Sequence, residues 1–236
     1  MKLDAILWDY DGTLVNSVPK NIDITINILS IVTPQLTGEK LPIYLKSESA
    51  YNEANHSASN WQELYQRFYG LTQEETLLAG SLWAEHQESN NTPVDLFTGI
   101  KGVIESLSMF PHGICSQNSS SNIWKVLIDA GIHNTFKSVI GYSDVEQNTQ
   151  KPSPDAGIKC LSEMFADISN KTVMYIGDHE ADVQFARNLN NTLSGNAKVI
   201  SVAAAYSGAI PDKWYSQPDY IIKCPNELLN ICSVYV

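Results

Sequence analysis

Asp9 and Asp11 stand one residue apart, directly after the apolar run Ala5-Ile6-Leu7-Trp8 and directly before Gly12-Thr13-Leu14. Side chains two apart on an extended segment project the same way, so the pair presents two carboxylates at one place. Three further stretches carry groups of related chemistry: Ser116-Gln117-Asn118, Lys151-Pro152 and Gly177-Asp178-His179-Glu180-Ala181-Asp182. Phosphoryl transfer needs such a set, because it requires an in-line nucleophile, neutralised phosphate oxygens and a positioned proton donor. A carboxylate such as Asp9 can attack phosphorus and form an aspartyl phosphate. It repels a phosphate dianion unless a divalent cation lies between them. Mg²⁺ suits that place, since it takes oxygen ligands and keeps several waters. Asp178 would complete the metal site. Ser116 would donate its hydroxyl hydrogen to a phosphoryl oxygen, and Lys151 would supply a compact positive charge. Taken singly, each is an ordinary turn, cap or loop residue; the inference rests on their convergence.

Convergence depends on the elements between them. From about residue 97 onward, short β-branched runs alternate with helical patterns. Strands are expected at 113–116, 138–141, 172–177, 198–202 and 220–222, and helices over about 100–110, 121–131, 154–166 and 180–190. Unbroken apolar runs mark buried strands, and apolar spacings of three and four mark helices. This alternation implies an α/β fold with a doubly wound parallel sheet, to which residues 3–8 contribute the first strand. Ligands bind such sheets outside the carboxyl ends of the strands. Asp9, Ser116 and Asp178 each follow a strand directly, and Lys151 precedes a helix.

Residues 16–96 follow another rule. Ile22, Ile26 and Leu29 share a helical face, as do Trp61, Leu64, Tyr65, Phe68 and Tyr69. Thr72-Gln73-Glu74-Glu75 is a capping box that opens a helix through Leu78, Leu82 and Trp83. The expected organisation is therefore an α/β core of residues 1–15 and 97–236, interrupted by a helical module at 16–96.

A formal charge of −11 argues against nucleic acid or an anionic membrane as partner. No run of about 18 apolar residues suggests a membrane span. Cys115, Cys160, Cys224 and Cys232 are scattered without a C-x-x-C pair, which fits reduced thiols and a cytoplasmic protein.

The motifs, in this order, resemble those of the haloacid dehalogenase superfamily in its phosphatase branch. Asp9-Tyr10-Asp11-Gly12-Thr13-Leu14 is similar to the first family motif, Ser116 to the second, Lys151-Pro152 to the third, and Gly177-Asp178 with Asp182 to the fourth. The helical stretch resembles the cap inserted after the first motif in the phosphoglycolate phosphatase and β-phosphoglucomutase group. The resemblance implies an Mg²⁺-dependent hydrolase of a small phosphorylated metabolite, or a phosphosugar mutase using the same aspartyl phosphate. It implies that Asp9 is the nucleophile. It implies that Asp11 gives its backbone carbonyl to the metal and uses its carboxyl as general acid, then base. Asp9, Asp11 and Asp178 would hold the metal, and Ser116, Gln117 and Lys151 the phosphate. Gln117 stands where relatives commonly carry Asn. Asp182 has two readings: it orients the metal's waters or Lys151, or it is a first-turn acid at a helix N-terminus. His179 reads as a loop residue beside the metal site. Substrate selectivity is expected to come from the insert.

Overall fold

A computed structural model describes residues 2–235. It separates into two compact units, residues 1–16 with 96–236 and residues 17–95.

The first unit holds a six-stranded sheet of β1 (Ala5–Trp8), β2 (His112–Cys115), β3 (Phe136–Ile140), β4 (Thr172–Gly177), β5 (Lys198–Ala204) and β6 (Tyr220–Ile222). The order is β3-β2-β1-β4-β5-β6, and every pairing is parallel. Every residue of β1, β2 and β4 is buried, as continuous apolar strands covered on both faces must be. Leu7, Cys115, Cys160, Tyr175, Phe185 and Leu189 belong to the core that one layer of helices forms against the sheet. Those helices run over Asp155–Met164 and Glu180–Thr192.

Register fixes the functional end. Trp8 pairs with Ile114 on one side and with Ile176 on the other. The residues that follow β1, β2 and β4 therefore emerge together along one edge.

Several boundaries differ from the sequence reading. The helix expected over about 100–110 ends at Ser106, where Leu107 closes it with a backbone N–H to Val103 O. β2 and β3 both start and end earlier than expected, and the end of β2 at Cys115 leaves Ser116 just beyond its strand. A terminal helix, Glu227–Ser233, had too short an apolar pattern to stand out.

The second unit is helical: Val18–Val32, Glu48–Ser57, a turn at Trp61–Glu63 that continues as a π-helix through Phe68, and Gln73–Ser89. Ser47 caps the second of these through Ala50 N. Ile24, Ile28, Leu29, Leu64, Tyr65 and Tyr69 are among its core. The Thr72 capping box is present, with Glu75 N donating to Thr72 Oγ1 and Thr72 N donating to Glu75 Oε2. Of the face expected to be apolar, Leu82 and Trp83 pack against the core, but Leu78 does not. Thr76 and Ala79 are buried, whereas Leu78 is 50% exposed. Trp61, expected in the core, is 44% exposed. The buried stripe here is built from small residues, which hydrophobic spacing does not mark.

The excursion begins and ends at one place in the first unit, where Phe97 N donates to Leu14 O at 3.0 Å. Among the described residues, no helix is long and apolar enough to cross a membrane.

Candidate active site

Asp9 follows β1, with its N–H donated to Ile176 O of β4 at 2.8 Å. The chain then reverses tightly: Tyr10 O accepts from Leu14 N at 2.9 Å, and Gly12 N donates to Val15 O at 2.9 Å. Gly12 has φ +75°, and a Cβ there would lie 2.2 Å from Asp178 Oδ2. The turn thus needs glycine twice over, for its left-handed backbone and for the approach of Asp178. Thr13 Oγ1 reaches Asp178 Oδ1 at 3.5 Å, the outer limit of a hydrogen bond. Tyr206, in the loop after β5, donates its phenol proton to Thr13 O at 2.6 Å and so braces the turn from the other side.

Lys151 reaches into this edge from the loop before Asp155–Met164. Its Nζ donates to Asp9 Oδ1 at 2.5 Å, Asp182 Oδ1 at 2.7 Å and Tyr175 OH at 3.2 Å. The Lys151 and Asp9 side chains are each only 9% exposed. An ammonium has three N–H groups, and here all three meet protein acceptors. Burial alone would lower the Lys151 pKa, but Asp182 and Asp9 together outweigh it, so the lysine is held charged. Burial pushes the Asp9 carboxyl well above the ordinary value of 3.8; Lys151 opposes that shift, and the nearby Asp182 and Asp178 add to it.

Asp182 makes two sets of contacts. One oxygen takes Lys151 and also Tyr175 OH, the latter at 3.1 Å. The other accepts from His179 N at 3.0 Å and closes a capping box on the helix Glu180–Thr192. Gly177 permits this, because a Cβ there would lie 2.3 Å from the Asp182 carboxyl carbon. His179 is not a plain loop residue: its Nδ1 accepts from Ala181 N at 3.1 Å, which makes it the N-cap.

The loop after β2 carries the remaining groups. Ser116 is buried, and its Oγ accepts Asn118 N at 3.1 Å, which leaves the hydroxyl proton to be donated elsewhere. Gln117 is exposed, whereas Asn118 is buried. Asn118 Nδ2 donates to Asp11 Oδ2 at 2.9 Å. The amide that meets Asp11 is therefore Asn118. Its signal was in the sequence: a Ser hydroxyl that accepts from the N–H two residues on bends the chain and returns that residue toward the serine. Tyr175 and Tyr206 gave no comparable signal, because tertiary packing alone brings them to the site.

Asp9, Asp178 and Asp182, all buried, each offer a carboxylate oxygen within 4.8 Å of the others. Three carboxylates thus crowd together in a region closed to solvent, and Lys151 bonds to two of them, Asp9 and Asp182. That donor set fits a hard divalent cation with oxygen ligands. Both oxygens of Asp182 are already engaged, one by Lys151 and Tyr175 and the other by His179 N, whereas Lys151 takes only Oδ1 of Asp9, so Asp9 and Asp178 are the carboxylates suited to it. The Asp11 carboxyl lies outside this group and is held by Asn118.

The family model for haloacid dehalogenase-like hydrolases matches residues 6–194. Among solved structures, a candidate phosphoglycolate phosphatase from Lactobacillus plantarum has TM-score 0.75 at 17% identity, covering 98% of this chain and 100% of that one. A haloacid dehalogenase-like family hydrolase from Streptococcus pneumoniae has TM-score 0.70 at 20% identity, covering 97% and 98%. A protein from Haemophilus somnus, designated a predicted phosphoglycolate phosphatase, has TM-score 0.68 at 20% identity, covering 98% of each chain. These chains share the fold from end to end. No protein of curated function matches the sequence. With strand-end acids, a lysine and a Gly-Asp-x-x-x-Asp turn in place, and the family model spanning most of its length, the chain belongs to the haloacid dehalogenase-like hydrolases.

Proposed function

We propose that this hydrolase is an Mg²⁺-dependent phosphatase that cleaves a small phosphate monoester through an aspartyl phosphate on Asp9. The observation that carries the reading is the buried Asp9 carboxylate, fixed through Oδ1 by Lys151 while Asp178 approaches from β4. A carboxylate so fixed has one oxygen oriented by the lysine and can present the other to phosphorus. The Asp9 oxygen forms a bond to phosphorus as the ester P–O bond breaks. Asp11 gives its proton to the departing alkoxide, then takes one from the water that attacks the aspartyl phosphate and frees Asp9. Ser116 directs its hydroxyl proton to a phosphoryl oxygen, and Lys151 holds positive charge beside the transferring group. A bound Mg²⁺, held by Asp9, Asp178 and the Asp11 backbone carbonyl, would offset the repulsion between the nucleophile and a phosphate dianion. Four unpaired cysteines agree with action in a reducing cytosol. Net negative charge agrees with a small phosphorylated metabolite, not nucleic acid, as substrate.

The test is phosphate release from a panel of monoesters, phosphoglycolate and sugar phosphates among them, in Mg²⁺ and after chelation. Expected are phosphate release, its loss on chelation and its return with Mg²⁺. Undiminished turnover after chelation would remove the cation from the reading. Isomerised sugar phosphate with no free phosphate would replace hydrolysis with mutase chemistry.

A further inference from the structure

Asn118 is fixed by its surroundings in every direction but one. Its backbone N–H goes to Ser116 Oγ at 3.1 Å, and its backbone carbonyl accepts Tyr142 N at 2.9 Å. Its side-chain Oδ1 accepts Ser119 N at 2.8 Å and Asn122 Nδ2 at 3.1 Å. Because the Ser119 backbone N–H can only donate, the amide oxygen must face it, and this settles which way the amide points. What remains is Nδ2, aimed at Asp11 Oδ2 at 2.9 Å. Ser119 also caps the next helix by accepting Asn122 N, so the loop carrying the amide is anchored to a helix start.

We propose that Asn118 is the positioning residue of the proton-transfer step: it selects which oxygen of Asp11 exchanges the proton. The inference rests on the phosphatase reading above. An amide N–H bonds well to a carboxyl oxygen that bears no proton and poorly to a hydroxyl oxygen. With Oδ2 accepting from Asn118, the proton passed to the leaving oxygen is carried by Oδ1. That proton moves from Asp11 Oδ1 to the alkoxide as the P–O bond breaks, and a proton from water returns to the same oxygen as the new P–O bond forms. Asn118 touches neither phosphorus nor the leaving group, so it acts only through Asp11.

The distinguishing readout is dependence on the leaving group. A good leaving group departs without a proton; a poor one needs it. Asn118→Ala and Asn118→Asp are compared with wild type on para-nitrophenyl phosphate and on an alkyl phosphate that the wild type hydrolyses, with Mg²⁺ saturating and folding checked by circular dichroism. The expected result for Asn118→Ala is a loss of about a hundredfold in kcat/KM, which reports the step in which the leaving group departs, on the alkyl ester and less than about tenfold on the nitrophenyl ester. Asn118→Asp, which sets an acceptor against Oδ2, should lose at least as much. In an Asp11→Ala background, Asn118→Ala should have no further effect on nitrophenyl turnover. Equal losses of kcat/KM on both esters in a folded variant, or a further loss in the Asp11→Ala background, would overturn the assignment. Wild type inactive on every monoester would overturn the phosphatase reading and this inference with it. If Asn118→Ala does not fold, the ratio measured with Asn118→Asp decides in the same way.

Discussion

Both units contain a bonded acid–base pair, yet the two pairs differ in kind. In the helical unit Glu63 accepts from Arg67 at 2.9 Å with the Arg67 side chain 63% exposed. Bonds from Ser59, then from Arg67, lower its carboxyl to about 2. Water can replace every one of those contacts. In the α/β unit Lys151 lies between Asp9 and Asp182, with all three closed off from solvent. Water can replace none of them there, so a charge that loses its partner is stranded. An exposed pair therefore decorates a helix, while a buried one is a committed structure whose geometry persists without substrate. The core cluster of the helical unit is built from aliphatic and tyrosine side chains, whereas the α/β unit gathers Asp9, Asp178 and Asp182 at its functional edge.

Asp9→Asn should give the largest effect in the molecule. Loss of the nucleophilic carboxylate should lower turnover by at least about a thousandfold. Thermal stability should not fall, because Lys151 keeps Asp182 and one crowded negative charge is gone. A melting curve beside an assay checks both halves; a strong drop in melting temperature would show that Asp9 holds the fold together.

Asp182→Asn tests the structural side of the same cluster. It weakens the hold on Lys151 and the helix cap on His179 N together, and should cost about 3–5 kcal/mol in denaturant unfolding. A loss as small as an exposed pair gives would erase the contrast between the units.

A third test uses pH. Trp8 Nε1 can only donate, and it donates to His112 Nδ1 at 2.9 Å. The ring proton therefore sits on Nε2, which donates to Leu107 O at 3.0 Å. Burial lowers the His112 pKa from 6.5 to about 4, against a smaller upward pull from the Leu107 bond. The unfolded chain binds this proton more readily, so stability rises with pH in that interval. The His112 contribution is whole above 6.5 and is lost as pH falls toward about 4. At most it is about 3 kcal/mol. Denaturant midpoints across that range should fall more steeply for wild type than for His112→Gln; parallel slopes would assign the acid sensitivity to other groups.

Thr72→Ala should have the smallest effect. It removes an exposed capping box in the helical unit and should cost about 1 kcal/mol, with no change in turnover once the protein is folded. A large loss would mean that the helical unit also depends on a polar contact for its fold.

The sequence displayed the acids and the lysine because each stands where a strand or loop must end at one sheet edge, and register does the rest. Asp9 and Asp178 were legible for that reason. Adjacency to Ser116 favours Gln117 in the sequence, but the serine turn sends Gln117 outward and brings Asn118 back. Tyr175 belongs to an apolar strand, and nothing local tells that its hydroxyl meets Lys151 and Asp182. In the helix Gln73–Ser89 the spacing marks Leu82 and Trp83 correctly, but close packing there favours Thr76 and Ala79 over the larger Leu78.

The hydrogen bond from Phe97 N to Leu14 O has an evolutionary and an engineering meaning. It brings the start and the finish of the insert to one point on the α/β unit, so everything between is a closed detour. The entropy of closing a detour grows only with the logarithm of its length, about 0.6 kcal/mol for each doubling. An insert of another size or another lineage could be spliced between the same two ends without shifting the register of β1, and the acids that follow it would stay aligned with β2 and β4. The helical unit is in this sense an exchangeable cassette.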